Sequence, residues 1–303
     1  MTHPIIASQF ADVSPGIRLH YASCGDAGAP LLLFIHGFPE AWFEWERLMP
    51  AFGEKWFAVA PDLRGFNLSS KPAGVEHYKP KLIVQDMLGL IRALGYEKAT
   101  VVAHDWGGAI AWNLAIHAPQ HVERLVIINS PHPYLFAQAL ADNPRQQEAS
   151  GYMNWLRKPG SESALVKDDY SLLDGFFTGS GQNADWYTPE VRQRYHEMWR
   201  QPGEAGSHAM SGAVNYYRAS PFRPAQDGQP ATRLALDPAE WRTSVPVRVI
   251  WGEQDRALSS DLLDGLDQVC SDLKVVRVPD AGHWVVHQKS EEIGRLLHEA
   301  LEE

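Results

Sequence analysis

The sequence has few cysteines, no excess of basic residues and no long apolar run. Its 303 residues include two cysteines, Cys24 and Cys270, which give neither a disulfide framework nor the spacing of a zinc site. A formal net charge of -10 argues against nucleic acid or an anionic membrane surface as a partner. No apolar stretch approaches the ~20 residues of a membrane span, and the amino terminus lacks the pattern of a signal peptide. We therefore expect a cytoplasmic protein with no membrane partner.

Motifs for cofactors are also missing from the sequence. The 13 histidines show no metal-ligand spacing, and there is no glycine-rich loop of the dinucleotide-binding or phosphate-binding kind. We therefore expect neither a metal nor an organic cofactor. Aromatic residues, in contrast, are abundant. Eleven tryptophans are many for this length, and they suit both a core and a pocket for an apolar ligand.

The turn around Asp105 is the most informative stretch of the chain. Residues 99–102 are a β-branched, apolar run typical of a buried parallel strand, and residues 109–118 have apolar positions at helical spacing. Between them, Ala103 lies two residues before Asp105 and Gly107 lies two residues after it. This pattern is typical of a nucleophile elbow, with Asp where many hydrolases carry Ser. Taken alone, the turn also fits a helix with an aspartate N-cap.

Predicted strands and helices alternate on both sides of this turn. The apolar patterns predict strands at 16–22, 31–35, 56–60, 99–102, 122–129, 245–251 and 273–278, and helices at 42–49, 81–94, 109–118, 258–269 and 291–301. Alternation of this kind predicts a mostly parallel sheet, with a ligand site beyond the carboxyl ends of its strands. The strand ends carry His36, Asp62, Asp105 and Asn129, which we expect to gather at one edge of the sheet.

Residues 131–242 interrupt the alternation. They show no clear strand, and they are rich in aromatic, Gly, Pro and Ser residues, with helical patches near 134–142, 147–156, 161–176 and 188–200. We predict that this segment is a helical insertion, which we call the cap (131–242). The core would then consist of residues 1–130 and 243–303.

Three residues at predicted strand ends, Asp105, Asp255 and His283, follow the nucleophile-acid-histidine order of α/β hydrolases. Around them the chain resembles the α/β-hydrolase superfamily, and within it the epoxide hydrolases, over nearly its whole length. The motifs that carry the resemblance are His36-Gly37-Phe38-Pro39-Glu40, Pro61-Asp62-Leu63-Arg64-Gly65, His104-Asp105-Trp106-Gly107-Gly108 and Gly282-His283-Trp284. The resemblance implies an α/β-hydrolase fold: a mostly parallel eight-stranded sheet flanked by helices, with an inserted helical cap.

The residue types and the resemblance together imply a role for each residue. Asp105 would attack an electrophilic carbon to form an alkyl-enzyme ester, and His283, oriented by Asp255, would activate the water that hydrolyses it. An aspartate nucleophile argues against an ordinary esterase, because attack on an ester would give a reactive anhydride. The backbone N–H groups of Phe38 and Trp106 are the expected oxyanion hole. The expected substrate pocket comprises His36, Pro39, Trp106, Trp155, Tyr216 and Trp284.

The leaving group separates two activities. An opened epoxide needs a proton, which a tyrosine can deliver, whereas a departing halide needs only N–H donors. Two tyrosines, Tyr152 and Tyr217, stand in contexts similar to those of the paired lid tyrosines of epoxide hydrolases, with Tyr216 as an alternative to Tyr217. The alternative activity is that of a haloalkane or haloacid dehalogenase with the same triad, for which Trp106 and Trp155 are the candidate halide donors. A haloacid would lack the arginine clamp expected just after the nucleophile.

The prediction is therefore an epoxide hydrolase that converts a small hydrophobic epoxide and water to a vicinal diol. A non-catalytic binding protein with a hydrolase fold is a further alternative, against which the intact triad argues. The residue at the acid position used by part of the superfamily is an amide, Asn129, so Asp255 is the expected acid. The sequence leaves open which epoxide is bound and the oligomeric state, for which a homodimer is one alternative.

Overall fold

A computed structural model describes residues 5–179, 183–204, 207, 210–226 and 228–302 of the chain. Its centre is an eight-stranded sheet in the order β1-β2-β4-β3-β5-β6-β7-β8. The strands are β1 Ala7–Ser14, β2 Ile17–Cys24, β3 Leu31–Ile35, β4 Phe57–Pro61, β5 Ala99–His104, β6 Val122–Ile128, β7 Val247–Gly252 and β8 Leu273–Val278. Strand β2 is antiparallel to both of its neighbours, and the other strand pairs are parallel. The predicted fold, a mostly parallel eight-stranded sheet, is confirmed.

Helices cover both faces of the sheet, which explains why its central strands are apolar throughout. In β3, Leu31, Leu33 and Ile35 join one buried cluster, whereas Leu32 and Phe34 join the cluster on the opposite face. Successive side chains of a strand point to opposite faces, so a strand covered on both sides needs apolar residues at every position. The helices of the core are α1 Met49–Phe52, α2 Pro80–Ala93, α3 Asp105–His117, α11 Leu266–Val269, α12 Val285–Gln288 and α13 Ser290–Glu302.

The structure corrects three of the predicted elements. Strand β1 was not predicted, because its first four residues are exposed and give no apolar alternation. The predicted helix at 42–49 is a 3-10 turn over Trp42–Trp45, followed by the short helix α1. The predicted helix at 258–269 is likewise divided into Ser260–Leu263 and α11, because Gly265 between them has a left-handed backbone with φ of 84°.

Residues 133–219 of the cap, which lies between β6 and β7, are largely helical where the structure describes them, and the described residues of 220–242 form turns and irregular backbone. The helices of the cap are α4 Pro133–Asp142, α5 Pro144–Ala149, α6 Gly151–Leu156, α7 Ser161–Leu165, α8 Lys167–Thr178, α9 Pro189–Trp199 and α10 Ser211–Ala219. Helix α10, which carries Tyr217, was not among the predicted helical patches. The predicted helix at 161–176 is interrupted, because residues 168–170 at the start of α8 have positive φ. Within the described ranges, every helix is too short or too polar to cross a membrane.

Candidate active site

Asp105 lies on a sharp turn between β5 and α3. Its backbone is left-handed, with φ of 49°, a conformation that costs energy for residues other than glycine and is typical of functional turns. Neighbouring strands leave no space beside the turn: a Cβ at Gly107 would lie 2.2 Å from the carbonyl oxygen of Ile35, and one at Gly37 would lie 2.4 Å from the Asp105 side chain. Ser130 Oγ donates a hydrogen bond of 2.7 Å to the carbonyl oxygen of Asp105. These contacts hold the carboxylate beyond the end of β5.

The structure brings Asp105, His283 and Asp255 together. Nε2 of His283 lies 3.5 Å from Oδ2 of Asp105, and Nδ1 of the same ring lies 2.7 Å from Oδ2 of Asp255. The other carboxylate oxygen of Asp255 accepts the backbone N–H groups of Ala257 and Leu258, at 2.8 and 2.9 Å. Asp255, the predicted acid, is thus fixed by the loop that follows β7, and it orients the imidazole towards Asp105.

Asn129 supports the acid from the end of β6. Its side-chain amide donates a hydrogen bond of 2.8 Å to Oδ2 of Asp255, and its own oxygen accepts the N–H of Gly252 over 2.7 Å. Its side chain is fully buried, and its φ is 36°. Asn129 is therefore a positioning residue for the acid in this structure.

One predicted donor of the oxyanion hole already contacts Asp105, the predicted nucleophile. The backbone N–H of Phe38 donates a hydrogen bond of 2.8 Å to Oδ1 of Asp105. Trp106, the second predicted donor, lies in the first turn of α3, where backbone N–H groups have no partner within the helix. An oxygen of the Asp105 carboxyl group thus accepts one N–H, that of Phe38, which can hold it when it becomes an oxyanion.

The pKa values of Asp105 and His283 move in opposite directions. Burial raises the pKa of Asp105, but the hydrogen bond and charge of His283 outweigh it, so the carboxyl pKa lies below its usual value. Burial lowers the pKa of His283, but the charge of Asp255 and the hydrogen bond to Asp105 raise it to about 9. At neutral pH the free protein therefore holds a carboxylate beside an imidazolium. An ester at Asp105 would remove the adjacent negative charge and lower the pKa of His283.

Tyr152 of α6 and Tyr217 of α10 lie together above the nucleophile. Their ring centroids are 6.1 Å apart, and the two rings meet edge to face at an angle of 76°. Burial, followed for Tyr152 by the negative charge of Asp105, raises the pKa of each phenol well above its ordinary value. Both tyrosines are therefore neutral O–H donors at neutral pH. Trp106 packs edge to face on Tyr217, at 5.1 Å between ring centroids.

Two cavities meet at Asp105, Tyr152 and Tyr217, which line both of them. The apolar cavity encloses about 650 Å³, part of it open to solvent, and its lining includes Trp106, Ile110, Pro133, Phe136, Met153 and Phe222. The second cavity, which we call the histidine-side cavity, encloses about 720 Å³, also partly open, and includes Phe38, Phe176, Arg256, His283 and Trp284. Of the residues predicted for the pocket, Trp106 lines the apolar cavity and Trp284 lines the histidine-side cavity.

Two residues predicted for the pocket, Tyr216 and Trp155, are absent from the described lining of both cavities. Tyr216, the alternative to Tyr217, is buried on another side of α10, where its hydroxyl donates to the carbonyl oxygen of Arg64 over 2.9 Å. Trp155 is 37% exposed and is absent from the described lining of both cavities. Because Trp155 faces outward, the candidate halide clamp of Trp106 and Trp155 is not assembled.

His36 and Pro39, also predicted for the pocket, are likewise absent from the described lining of both cavities. The ring of His36 is fully buried: Nδ1 bonds to the carbonyl oxygen of Gly37 over 2.8 Å, and Nε2 accepts the N–H of Leu63 over 2.9 Å. The carbonyl oxygen of Pro39 accepts the indole N–H of Trp199, a cap residue, over 2.8 Å. Both residues therefore shape the loop after β3 and do not line the described parts of the two cavities.

Glu40, Glu44 and His104 form a buried cluster behind the triad, which we did not predict from the sequence. Nδ1 of His104 lies 2.8 Å from Glu44 and 3.6 Å from Glu40, and its Nε2 donates to the carbonyl oxygen of His283 over 2.9 Å. All three side chains of this cluster are buried, and burial together with the charge of Glu40 raises the pKa of Glu44 to about 7. The donor atoms of Glu40, Glu44 and His104 lie within 4.8 Å of one another, as in a metal site, but the raised pKa of His104 favours a proton at Nδ1.

Comparison with known proteins places the chain in a family. Residues 30–290 match the model of the alpha/beta hydrolase fold family. The chain is 35% identical over 298 residues to the AB hydrolase superfamily protein YfhM of Bacillus subtilis, covering 98% of each chain. It is 32% identical to epoxide hydrolase 3 of Mus musculus, covering 94% of this chain and 74% of that one.

Solved structures give the same result. A variant of an epoxide hydrolase from Bacillus megaterium aligns with a TM-score of 0.85 at 32% identity, over 97% of this chain and all of the other. The chain belongs to the alpha/beta hydrolase family, within the group that contains the epoxide hydrolases, and it is a hydrolase.

Proposed function

We propose that the protein is an epoxide hydrolase that forms a covalent ester with its substrate. A carboxylate oxygen of Asp105 attacks one ring carbon, the carbon–oxygen bond of the epoxide breaks, and the ring oxygen takes a proton from Tyr152 or Tyr217. The product of this step is a β-hydroxyalkyl ester of Asp105. The tyrosines suit this step, because both phenols are protonated at neutral pH and both residues line the two cavities with Asp105.

The second step releases the diol. Once Asp105 is esterified, the pKa of His283 falls, and its proton passes through solvent to the tyrosinate left by the first step. The neutral imidazole then takes a proton from water, which attacks the carboxyl carbon of the ester. The N–H of Phe38 is placed to stabilise the oxyanion, together with the N–H of Trp106. Collapse of this intermediate breaks the bond between the carboxyl carbon and the substrate oxygen, which takes the proton of the new carboxyl group. This step returns the Asp105 carboxylate, leaves the vicinal diol and leaves His283 protonated, as in the free protein.

The observation that carries the proposal is the position of the two tyrosines on both cavities beside Asp105. Epoxide hydrolases among the relatives and solved structures support the same substrate class. A dehalogenase would need free N–H donors for a halide. Here Trp155 faces outward, so it does not join Trp106 as a second donor. The substrates are therefore a small hydrophobic epoxide and water, held between the cap (131–242) and the core (1–130 and 243–303).

The covalent step is tested by a single turnover in ¹⁸O-labelled water with the protein in excess over styrene oxide. The first diol should be unlabelled, because its new oxygen comes from Asp105, and mass spectrometry should find the label in the peptide that contains Asp105. Label in the first diol would mean direct attack by water and would contradict the proposal.

The substrate class is tested by comparing styrene oxide with 1-chlorobutane. We expect diol formation from the epoxide and no chloride release that depends on Asp105. The Asp105→Ala variant should lose activity, whereas Asp264→Asn, which changes an exposed aspartate outside both cavities, should retain it. Faster chloride release than diol formation would favour the dehalogenase.

A further inference from the structure

A second arrangement of a nucleophile, a base and an acid involves β1, β2 and the end of β4. Oγ of Ser8 lies 2.7 Å from Nε2 of His20, and Nδ1 of the same ring lies 2.6 Å from Oδ2 of Asp62. Hydrogen bonds that link a serine, a histidine and an aspartate in this order are the arrangement that activates a serine for acyl transfer. None of the three residues belongs to the described lining of the apolar cavity or the histidine-side cavity.

The acid of this arrangement is fixed by further hydrogen bonds. Asp62 also accepts the backbone N–H of Trp42 over 3.0 Å and the side-chain amide of Asn67 over 2.9 Å. The side chains of His20 and Asp62 are buried, whereas Ser8 is exposed. A reagent that arrives from solvent therefore meets the hydroxyl group of Ser8, with its base and acid already in place behind it.

Strand pairing places the backbone N–H of Ser8 at the edge of the sheet. The carbonyl oxygen of His20 accepts the N–H of Asp62 over 2.9 Å, on the side of β2 that faces away from β1. Phe10 and His20 are therefore a non-hydrogen-bonded pair, and so are Ser8 and Ala22, one pair further along. Because β1 is the outermost strand, the N–H of Ser8 points outward, where it can donate to an oxyanion formed at its own hydroxyl group.

The side chains beside Ser8 indicate an aryl group in the substrate. Phe10 follows on the same face of β1, is 45% exposed, and meets the ring of His20 edge to face at 5.2 Å between centroids. The guanidinium group of Arg18 lies 4.8 Å from the centre of the Phe10 ring. An exposed aromatic ring next to a cation suits an aryl ester, whose leaving phenolate is both aromatic and negatively charged.

We propose that Ser8, His20 and Asp62 form a second catalytic site, which hydrolyses small aryl esters. Oγ of Ser8 bonds to the acyl carbon while its proton passes to Nε2 of His20, and the bond from the acyl carbon to the phenolic oxygen breaks as that oxygen takes the proton. Water then gives a proton to Nε2 and attacks the acyl-serine. The bond to Oγ breaks, Oγ recovers the proton, and the products are a phenol and a carboxylic acid. This site does not depend on the proposed function at Asp105.

A fluorophosphonate probe tests whether Ser8 is activated, because its phosphorus bonds to an activated serine oxygen as fluoride leaves. Trypsin releases residues 1–18 as one peptide, which contains both Ser8 and Ser14. Ser14 is the internal control, because its hydroxyl donates to Asp86 over 3.2 Å and not to a histidine. We expect the probe on Ser8 in about tenfold or greater excess over Ser14, and no such preference in protein unfolded with urea. Equal labelling of the two serines in the folded protein, or no label on Ser8, would overturn the inference.

Turnover of p-nitrophenyl acetate tests the reaction itself. It is measured in the Asp105→Ala variant, so that the first nucleophile does not contribute. Adding Ser8→Ala should lower the rate about tenfold or more, whereas adding Ser14→Ala should change it less than about twofold. Ser8→Cys keeps a nucleophile beside His20 and should still release a burst of nitrophenol. A rate of ester hydrolysis that Ser8→Ala leaves unchanged would contradict the proposal.

Styrene oxide turnover separates this inference from the proposed function. Ser8→Ala alone should hydrolyse styrene oxide at the wild-type rate, because Ser8 is outside the described lining of both cavities. If it does so and the wild type forms no acyl-enzyme at Ser8, the inference fails alone. If Ser8 is acylated and no epoxide is hydrolysed, the proposed function fails alone.

Discussion

Nδ1 of His283 lies 2.7 Å from Oδ2 of Asp255, and the same carboxylate oxygen accepts the side-chain amide of Asn129. The carboxylate thus fixes the ring so that Nε2 faces Asp105. We expect Asp255→Asn to slow hydrolysis of the alkyl-enzyme by about 10³- to 10⁴-fold, because an equivalent change in a serine protease triad has an effect of about that size. Alkylation should slow much less, because it does not need His283 as a base.

Rapid mixing with excess styrene oxide, followed by intact-protein mass spectrometry, separates these two steps. The Asp255→Asn variant should accumulate an adduct with the added mass of one substrate molecule. The exposed Asp264→Asn serves as a control for the chemical change and should behave as the wild type. Turnover by Asp255→Asn at the wild-type rate would contradict the assignment of Asp255 as the acid.

The pKa of His283 should depend on the charge of Asp105. In the wild type it is raised to about 9, and the hydrogen bond to Asp105 is one of the causes. In Asp105→Asn that carboxylate is lost while the burial of the ring remains, so we expect a lower pKa. NMR titration of labelled histidine in both proteins measures it. A pKa of His283 that is unchanged or higher in the variant would show that Asp105 does not set it.

The same coupling predicts a pH dependence of catalysis. Neutral imidazole is the base for ester hydrolysis, so the rate of this step should rise with pH and level off above the pKa of His283 in the alkyl-enzyme. Because the ester carries no charge, that pKa should lie below the value of about 9 in the free protein. A hydrolysis rate that falls as the pH rises from 6 to 8 would oppose this role for His283.

The cap tyrosines should act in alkylation. We expect Tyr152→Phe and Tyr217→Phe each to slow alkylation of styrene oxide about tenfold or more, and the double variant about 10²- to 10⁴-fold, the usual range for a general acid. Tyr216→Phe is the matched control, because its hydroxyl donates to the carbonyl oxygen of Arg64 and not towards Asp105. Single-turnover quenching of fluorescence follows the step. If the double variant is alkylated at the wild-type rate, neither tyrosine is the proton donor.

The choice between Tyr216 and Tyr217 shows where reasoning from sequence stops. Adjacent residues of a helix point about 100° apart, so one of the two faces the cavity and the other does not. Which one does depends on how α10 docks on the core, and that docking is set by contacts such as the one between Tyr216 and Arg64. The sequence shows that both tyrosines are present, but it does not show how α10 is rotated about its axis.

The positions of Asp105, Asp255 and His283 could be predicted because each follows a strand of the sheet, a local pattern. The cluster of Glu44 and His104 could not, because its members are 60 residues apart and meet only when the loop after β3 packs below β5. Strand β1 was missed for a related reason: an exposed strand at the edge of a sheet has no buried face to pattern its residues.

Glu44 should make the protein less stable at high pH. Its pKa is raised from 4.5 to about 7 in the folded protein, so between these values the folded state holds a proton that the unfolded state has released. Unfolding therefore releases this proton, and the free energy of unfolding falls as the pH rises from about 4.5 to about 7. In Glu44→Gln this dependence should disappear. The free energy of unfolding of the variant, minus that of the wild type, should increase by on the order of 2 kcal/mol when the pH is raised from 5 to 8.

Urea unfolding of both proteins at the two pH values measures this difference. Glu46→Gln is a matched control two residues away, because Glu46 is partly exposed and pairs with Arg194 outside the buried cluster. A difference between wild type and Glu44→Gln that is the same at both pH values would mean that Glu44 does not take up a proton on folding.

The turn that carries Asp105 has no space for a side chain at Gly107. A Cβ at position 107 would lie 2.2 Å from the carbonyl oxygen of Ile35 and 2.5 Å from that of His36, and these backbone atoms cannot turn away as a flexible side chain can. We expect Gly107→Ala to lower the free energy of unfolding by about 1–3 kcal/mol and to reduce activity, because the turn must shift Asp105 to make space. Gly151→Ala is the control: a Cβ there meets open space at the start of α6, so the change should be neutral or stabilising by up to about 1 kcal/mol. Urea unfolding and styrene oxide turnover are measured for both variants, and equal stability of the two would show that the turn tolerates a side chain at position 107.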